Sequence, residues 1–117
     1  MDWGIKNRLA RIFNAKSGRT VMLAVDHGYF QGPTTGLKRP REPITPLLPY
    51  CDSLFVTRGI LRNCVPANTK TPIFLRVSGG PSVLGELSNE DITTSTKEAL
   101  RLNAVGVGLS IFVGEKN

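Results

Sequence analysis

Asp26 and His27 stand side by side in Ala24-Val25-Asp26-His27-Gly28-Tyr29-Phe30, where an apolar run gives way to a polar loop, and His27 is the single histidine of the chain. An aspartate there can orient or protonate a substrate hydroxyl or carbonyl, and a histidine can shuttle protons near neutral pH. The same pair also reads as a loop cap beside a satisfied, half-buried imidazole, and both readings stand. Ser78-Gly79-Gly80-Pro81-Ser82 reads as a turn or as a backbone nest for an anion, which makes Ser78 a substrate-binding candidate. Arg58 and Arg76 flank two further apolar runs. Each is suited to grip phosphate or carboxylate as a planar fork, and each is equally suited to pair with an acidic side chain in a barrel interior. A Schiff base needs a lysine desolvated in an apolar strand or at its rim. Lys6, Lys16, Lys38, Lys70 and Lys97 fall on expected helices or loops away from strand ends, and Lys116, which follows one, sits beside Glu115 as a solvated lysine would. Gly28, Gly32 and Gly36 make a turn-rich loop. Gly106-Val107-Gly108 is only a fragment of the dinucleotide fingerprint, with Ile111 in place of the third glycine, so a Rossmann site is rejected.

The elements that must position these groups follow from the apolar pattern. Val21–Val25, Ser53–Thr57, Ile73–Val77 and Ala104–Val113 are continuously apolar rather than alternating, which predicts strands covered on both faces. Their ends, Asp26-His27-Gly28, Arg58-Gly59, Ser78-Gly79-Gly80 and Gly114-Glu115, would deliver side chains to one rim. The spacing predicts a helix over Ser88–Asn103, capped by Ser88 with Asp91 three residues on, and with Ile92, Ser95, Ala99 and Leu102 inward. A helix over Trp3–Phe13, with Ile5, Leu9, Ile12 and Phe13 on one stripe, precedes the first strand and could plug one end of a barrel. Pro40, Pro43, Pro46 and Pro49 allow only a short helix that starts after a proline.

The order β-α-β-α-β-α-β fits the N-terminal half of a (β/α)8 TIM barrel, a fold that takes about 250 residues. The chain of 117 residues then forms a single partial domain, 1–117, of about four βα units behind an N-terminal helix. A small doubly wound sheet is the alternative, although such domains usually have five strands.

Composition limits the function classes. With 40% hydrophobic and 21% charged residues the chain is neither disordered nor collagenous, and two cysteines, Cys51 and Cys64, make no disulfide framework or zinc spacing. They are expected reduced and buried. No apolar run reaches the roughly 20 residues of a membrane span, so the expectation is a cytoplasmic protein without a membrane partner. The net charge of +6 lies wholly in residues 1–41, where eight basic residues face Asp2 and Asp26. Neither interleaved aromatics nor a binding motif accompanies it, so a solvated helix face and a basic loop are expected, and no nucleic-acid partner.

Several stretches carry a resemblance. Asp2-Trp3-Gly4, Arg8 to Asn14, Thr20 to Leu37 around Asp26-His27-Gly28, Thr57 to Arg62 and Glu86 to Glu90 resemble the archaeal-type (DhnA-like) class I aldolase family, and within it the thiolases of autoinducer-2 processing. The resemblance implies a (β/α)8 barrel that assembles into homo-oligomers and acts on a phosphorylated ketone. It implies carbon–carbon cleavage with acetyl transfer to coenzyme A as co-substrate, and no resident cofactor or metal. By likeness Asp26 is the acidic residue beside the reacting carbonyl, with His27 next to it. The family's Schiff-base lysine, at the sixth strand, and its phosphate loops, after the seventh and eighth, lie beyond residue 117, so this chain is expected to be inactive alone. A non-catalytic half-barrel partner or ligand-binding protein is one alternative, and a fructose-bisphosphate-type aldolase fragment is another.

Overall fold

The computed structural model describes residues 1–32, 34–85 and 88–114. Four parallel strands, β1 (Met22–Ala24), β2 (Ser53–Val56), β3 (Ile73–Arg76) and β6 (Gly106–Gly108), form one sheet in the order β1-β2-β3-β6. Between β3 and β6 two short strands, β4 (Ser78–Gly79) and β5 (Asp91–Ile92), pair antiparallel as a separate ribbon. The helices are α1 (Trp3–Ile12), α2 (Gly28–Gln31), α3 (Arg41–Leu47), α4 (Arg58–Cys64) and α5 (Thr96–Arg101).

Strands that neighbour in sequence also neighbour in the sheet, with α3 between β1 and β2, α4 between β2 and β3, and α5 before β6. That progression, parallel and uninterrupted, is the one a half barrel requires. One sheet face packs on the helices. Val25, Leu54, Val56 and Ile73 form a buried cluster with Ile44 of α3 and Leu48, against which Ile60, Leu61 and Val65 also pack. A second cluster joins Leu75 and Val77 to Ala99 of α5. Burying these aliphatic side chains contributes roughly 1.5–3 kcal/mol each before chain entropy is set against it.

The opposite face carries a row in register: Ala24 beside Phe55, Phe55 beside Phe74, and Phe74 beside Gly106. The glycines of β6 serve close approach. A Cβ on Gly106 would overlap the Phe74 ring, and one on Gly108 would lie 2.6 Å from Phe55 Cε2. Large rings on the middle strands thus lean over a strand stripped of side chains on that face, the interdigitation of small and large residues that fills a barrel interior.

Several expected elements are shorter or different. The four strands span three or four residues each, and the edge strands β1 and β6 leave Met22 and Val107 exposed, so the double coverage expected of all four holds only for β2 and β3. The expected helix over Ser88–Asn103 begins only at Thr96. Thr93 donates its N–H to the Val77 carbonyl at 2.8 Å and Asp91–Ile92 pairs with Ser78–Gly79, so this stretch, which continues into the β-branched run Ile92-Thr93-Thr94, is extended. The working cap is Ser95, whose Oγ accepts from Glu98 N at 3.2 Å. Ile92 is exposed rather than inward. Around the prolines, α3 starts directly after Pro40, as expected, and carries Pro46 in its last turn. Helix α1 is capped by Asp2, which accepts from Trp3 N at 2.7 Å, but of its apolar stripe only Ile12 is buried. Cys51 and Cys64 are free thiols, half-buried rather than buried. No helix among the described residues is long and apolar enough to cross a membrane.

Candidate active site

Arg76 is the last residue of β3, and everything at the C-terminal rim converges on it. A guanidinium on a strand interior cannot be buried without anionic partners, and it has two. Its Nη1 donates to Asp26 Oδ2 at 3.1 Å, and its Nη2 donates to Glu90 Oε1 and Oε2 at 2.6 and 2.9 Å. The three side chains are 9%, 11% and 5% exposed for Arg76, Asp26 and Glu90, so these are interior ion pairs, little weakened by solvent.

Neighbours complete the network. Arg76 Nε donates to the Ser78 carbonyl at 3.1 Å, and Nη2 donates to Ser110 Oγ at 2.6 Å and to the Tyr29 hydroxyl. The Tyr29 hydroxyl donates to Glu90 Oε1, and the guanidinium lies 4.5 Å over the tyrosine ring. Ser78 Oγ donates to Glu90 Oε2 at 2.6 Å while accepting from Ser110 N at 3.1 Å. One hub thereby ties together the ends of β1, β3 and β6, helix α2 and the β4–β5 ribbon. Burial alone would raise the Glu90 carboxyl. The hydrogen bonds from Ser78 and Tyr29 and the charge of Arg76 outweigh it and hold that carboxyl below the usual range. Burial and the bond to Glu90 push the Tyr29 phenol up against the opposing pull of Arg76, which keeps it protonated as a donor.

A cavity of about 700 Å³ opens beside the hub, lined among others by Tyr29, Thr57, Arg58, Arg76, Ser78 and Thr94. That volume falls in the range of small-molecule sites, and the lining mixes glycines with fixed polar groups. Of the residues singled out from the sequence, Asp26 and Ser78 are joined through Arg76 and Glu90. Arg58 lines the cavity, but its Nη1 reaches Glu98 Oε2 at 3.2 Å, a carboxylate that Arg62 also holds at 2.6 Å. His27 lies half-buried just before α2 and makes no side-chain cap there. Ser78 belongs to the ribbon strand β4, which replaces the turn or anion nest read from its glycines. Lys6, Lys16, Lys38, Lys70 and Lys97 are exposed and none of them lines the cavity, and Lys116 lies outside the described residues.

Sequence reasoning missed Glu90, Tyr29 and Ser110. The expected helix over Ser88–Asn103 places Glu90 in its first turn. The signal that could have found it is Arg76 itself, an arginine inside an apolar strand that demands a carboxylate, together with the better capping box Ser95-Thr96-Lys97-Glu98, which moves the helix start past Glu90.

Comparison with known proteins fits this geometry. No protein-family model matches the chain. Over 116 residues it is 57% identical to a 3-hydroxy-5-phosphonooxypentane-2,4-dione thiolase of Enterobacter sp. (strain 638), covering 99% of this chain and 39% of that protein. It is 54% identical over its full length to the thiolase of the same name from Yersinia enterocolitica, covering 40% of that protein. The chain thus spans about two-fifths of the length of these curated relatives. Among solved structures, an archaeal fructose-1,6-bisphosphate aldolase with its catalytic lysine bound to a carbinolamine intermediate superposes with a TM-score of 0.75 at 28% identity, over 96% of this chain and 46% of that one. A second Schiff-base-forming fructose-1,6-bisphosphate aldolase superposes with a TM-score of 0.72 at 27% identity. The parallel sheet and its helices are therefore half of an aldolase-type α/β barrel, as the sequence led us to expect.

Proposed function

We propose that the chain, which spans about two-fifths of the length of the thiolases it is similar to, belongs with the class I aldolases and thiolases and forms one wall of the active site of a thiolase acting on a phosphorylated ketone. The reaction this reading implies breaks the bond between the acetyl carbonyl carbon and the adjacent hydroxyl-bearing carbon. The acyl carbon bonds to the sulfur of coenzyme A, and a proton equivalent to the thiol's ends on the hydroxyl-bearing carbon, leaving dihydroxyacetone phosphate. Coenzyme A is co-substrate rather than a resident cofactor, and the setting is cytoplasmic.

The observation that carries this reading is the buried Asp26–Arg76–Glu90 hub at the C-terminal strand ends, which meets the cavity through Arg76 and its neighbours Tyr29 and Ser78. In α/β barrels that rim is where chemistry is placed. Arg76 holds Asp26 as a fixed carboxylate that can orient a substrate hydroxyl or carry its proton. Arg58, half-exposed at the cavity wall, is the cation available to a phosphate if it exchanges Glu98 for the ligand. His27, next to Asp26 in the chain, is the candidate proton relay. Because none of the five described lysines lines the cavity, these residues by themselves would bind the ketone without forming a Schiff base.

The test is a titration of the 117-residue chain with dihydroxyacetone phosphate, followed by amide NMR, then borohydride and mass spectrometry. Shifts at Thr57, Arg58, Gly79 and Thr94 with unchanged mass are expected. Silence at the rim refutes the binding site, and a lysine adduct refutes the division of labour. Preference for a thiolase over an aldolase is checked by adding the remaining portion of a thiolase relative as a separate chain. Acetyl-coenzyme A must then appear from the phosphorylated diketone, whereas cleavage of fructose 1,6-bisphosphate instead would favour the aldolase.

A further inference from the structure

Thr94 stands just ahead of Ser95, the cap of α5, and is 4% exposed, yet it lines the rim cavity. Polar side chains buried to this degree are ordinarily spent on protein partners, and those around Thr94 are. Thr93 Oγ1 donates to the Val77 carbonyl at 3.3 Å, Ser95 Oγ accepts from Glu98 N at 3.2 Å, and Ser78 Oγ donates to Glu90 Oε2 at 2.6 Å. At the end of β2, Thr57 Oγ1 accepts from Ile60 N at 3.4 Å. Thr94 commits its backbone N–H to the Val77 carbonyl at 3.3 Å, and no group among the described residues takes up its hydroxyl. Thr20 Oγ1 and Ser53 Oγ are also without partners, but both atoms are shut off from solvent and neither residue lines the cavity.

The surroundings say which ligand group that hydroxyl meets. Glu98, in the first turn of α5, holds Arg58 Nη1 at 3.2 Å. The starts of α4 and α5 are thereby tied together, with Arg58 and Thr94 both on the cavity wall. A hydroxyl donor near a guanidinium matches the oxygens of an anion, since the planar fork carries the charge and the hydroxyl fixes one further acceptor. The β-branch restricts χ1 of Thr94, and the N–H groups of Thr93 and Thr94 anchor its backbone to Val77, so little freedom remains to be lost on binding.

We infer that Thr94 donates its hydroxyl to a phosphate oxygen of the bound ketone, alongside Arg58. The inference rests on the reading of the rim as a site for a phosphorylated ketone, and it names the side chain that selects the phosphate there.

Thr94→Val keeps the branched shape and deletes the hydroxyl, so fold and binding should respond differently. Without ligand the urea midpoint should hold or rise, by up to about 0.5 M, because a buried hydroxyl with no partner is removed. Affinities for dihydroxyacetone phosphate and for inorganic phosphate, measured by amide NMR titration at fixed ionic strength, should both fall at least about tenfold, the loss of a hydrogen bond to a charged acceptor. Thr94→Ser should restore both. A lower urea midpoint for Thr94→Val shows that the hydroxyl is bound within the fold and overturns the inference. So does a Thr94→Ser variant that stays weak. Binding of dihydroxyacetone phosphate without inorganic phosphate, or a loss confined to the former, puts the contact off the phosphate and overturns it as well. If the parent chain binds neither probe, the rim reading fails and this contact with it. If the parent binds both and Thr94→Val binds them equally, the contact alone fails.

Discussion

Replacing Arg76 by methionine tests whether the rim is held as described. The substitution keeps an unbranched apolar stem and removes the guanidinium that five residues share: Asp26, Glu90, Tyr29, Ser78 and Ser110. Two carboxylates, 11% and 5% exposed, then lie buried without a cation. Removing one partner of a buried pair costs about 3–5 kcal/mol, because the remaining charge is desolvated and uncompensated. Adding the lost hydrogen bonds separately would count the same desolvation twice. Against a total of about 5–15 kcal/mol for a domain, this is a large fraction. With a urea slope of about 2 kcal/mol per molar, the unfolding midpoint should fall by about 2 M. Glu90→Gln alone should also destabilise, since it leaves Arg76 with Asp26 as its remaining anionic partner. In the double variant Arg76→Met/Glu90→Gln one uncompensated charge is gone, so the two losses should fall short of additive by at least about 1.5 kcal/mol. Urea melts of the four proteins, followed by tyrosine fluorescence and far-ultraviolet dichroism, close the cycle. A loss under about 1 kcal/mol for Arg76→Met, or additivity within about 0.5 kcal/mol, refutes the hub.

Further expectations follow from particular contacts. The Glu90 carboxyl is held below its ordinary value in the folded chain, so its stabilising contribution is complete above about pH 4.5 and lost as pH falls through the folded value. Stability measured from pH 6 down to pH 3 should therefore decline more steeply in the parent chain than in Glu90→Gln. Gly106→Ala places a methyl group into the Phe74 ring and should cost about 1–3 kcal/mol in thermal or urea melts, with partial recovery when Phe74→Leu is added. Ser95→Ala removes the acceptor for Glu98 N and should cost about 1 kcal/mol, whereas Ser88→Ala should not act as a helix-cap loss.

Strand placement was legible in the sequence because continuous apolar runs flanked by glycine and polar residues admit few other readings, and β1, β2 and β3 fall inside their expected ranges. The C-terminal rim was legible for the same reason, and with it the position of Asp26. The helix over Ser88–Asn103 was misread because apolar spacing counts Ile92 and Ala99 alike. Ile92 pairs with Ser78 in the ribbon and Ala99 packs on Leu75 and Val77. Local propensity near Glu90 is weak, and a buried guanidinium 14 residues away outweighs it.

By itself, then, the sequence determined what short-range chemistry controls: which segments become strands, that they run parallel with helical crossovers, and that Asp26 and Ser78 sit at strand ends. Only the tertiary structure decided who partners whom. Arg76 could have faced a ligand or an acid, and it faces Asp26 and Glu90 because a desolvated cation takes the nearest carboxylates its strand position can reach. Arg58 stays at the cavity wall, half-exposed, held by Glu98. Pairing energies of this kind depend on distance and burial in three dimensions, and residue order along the chain encodes neither.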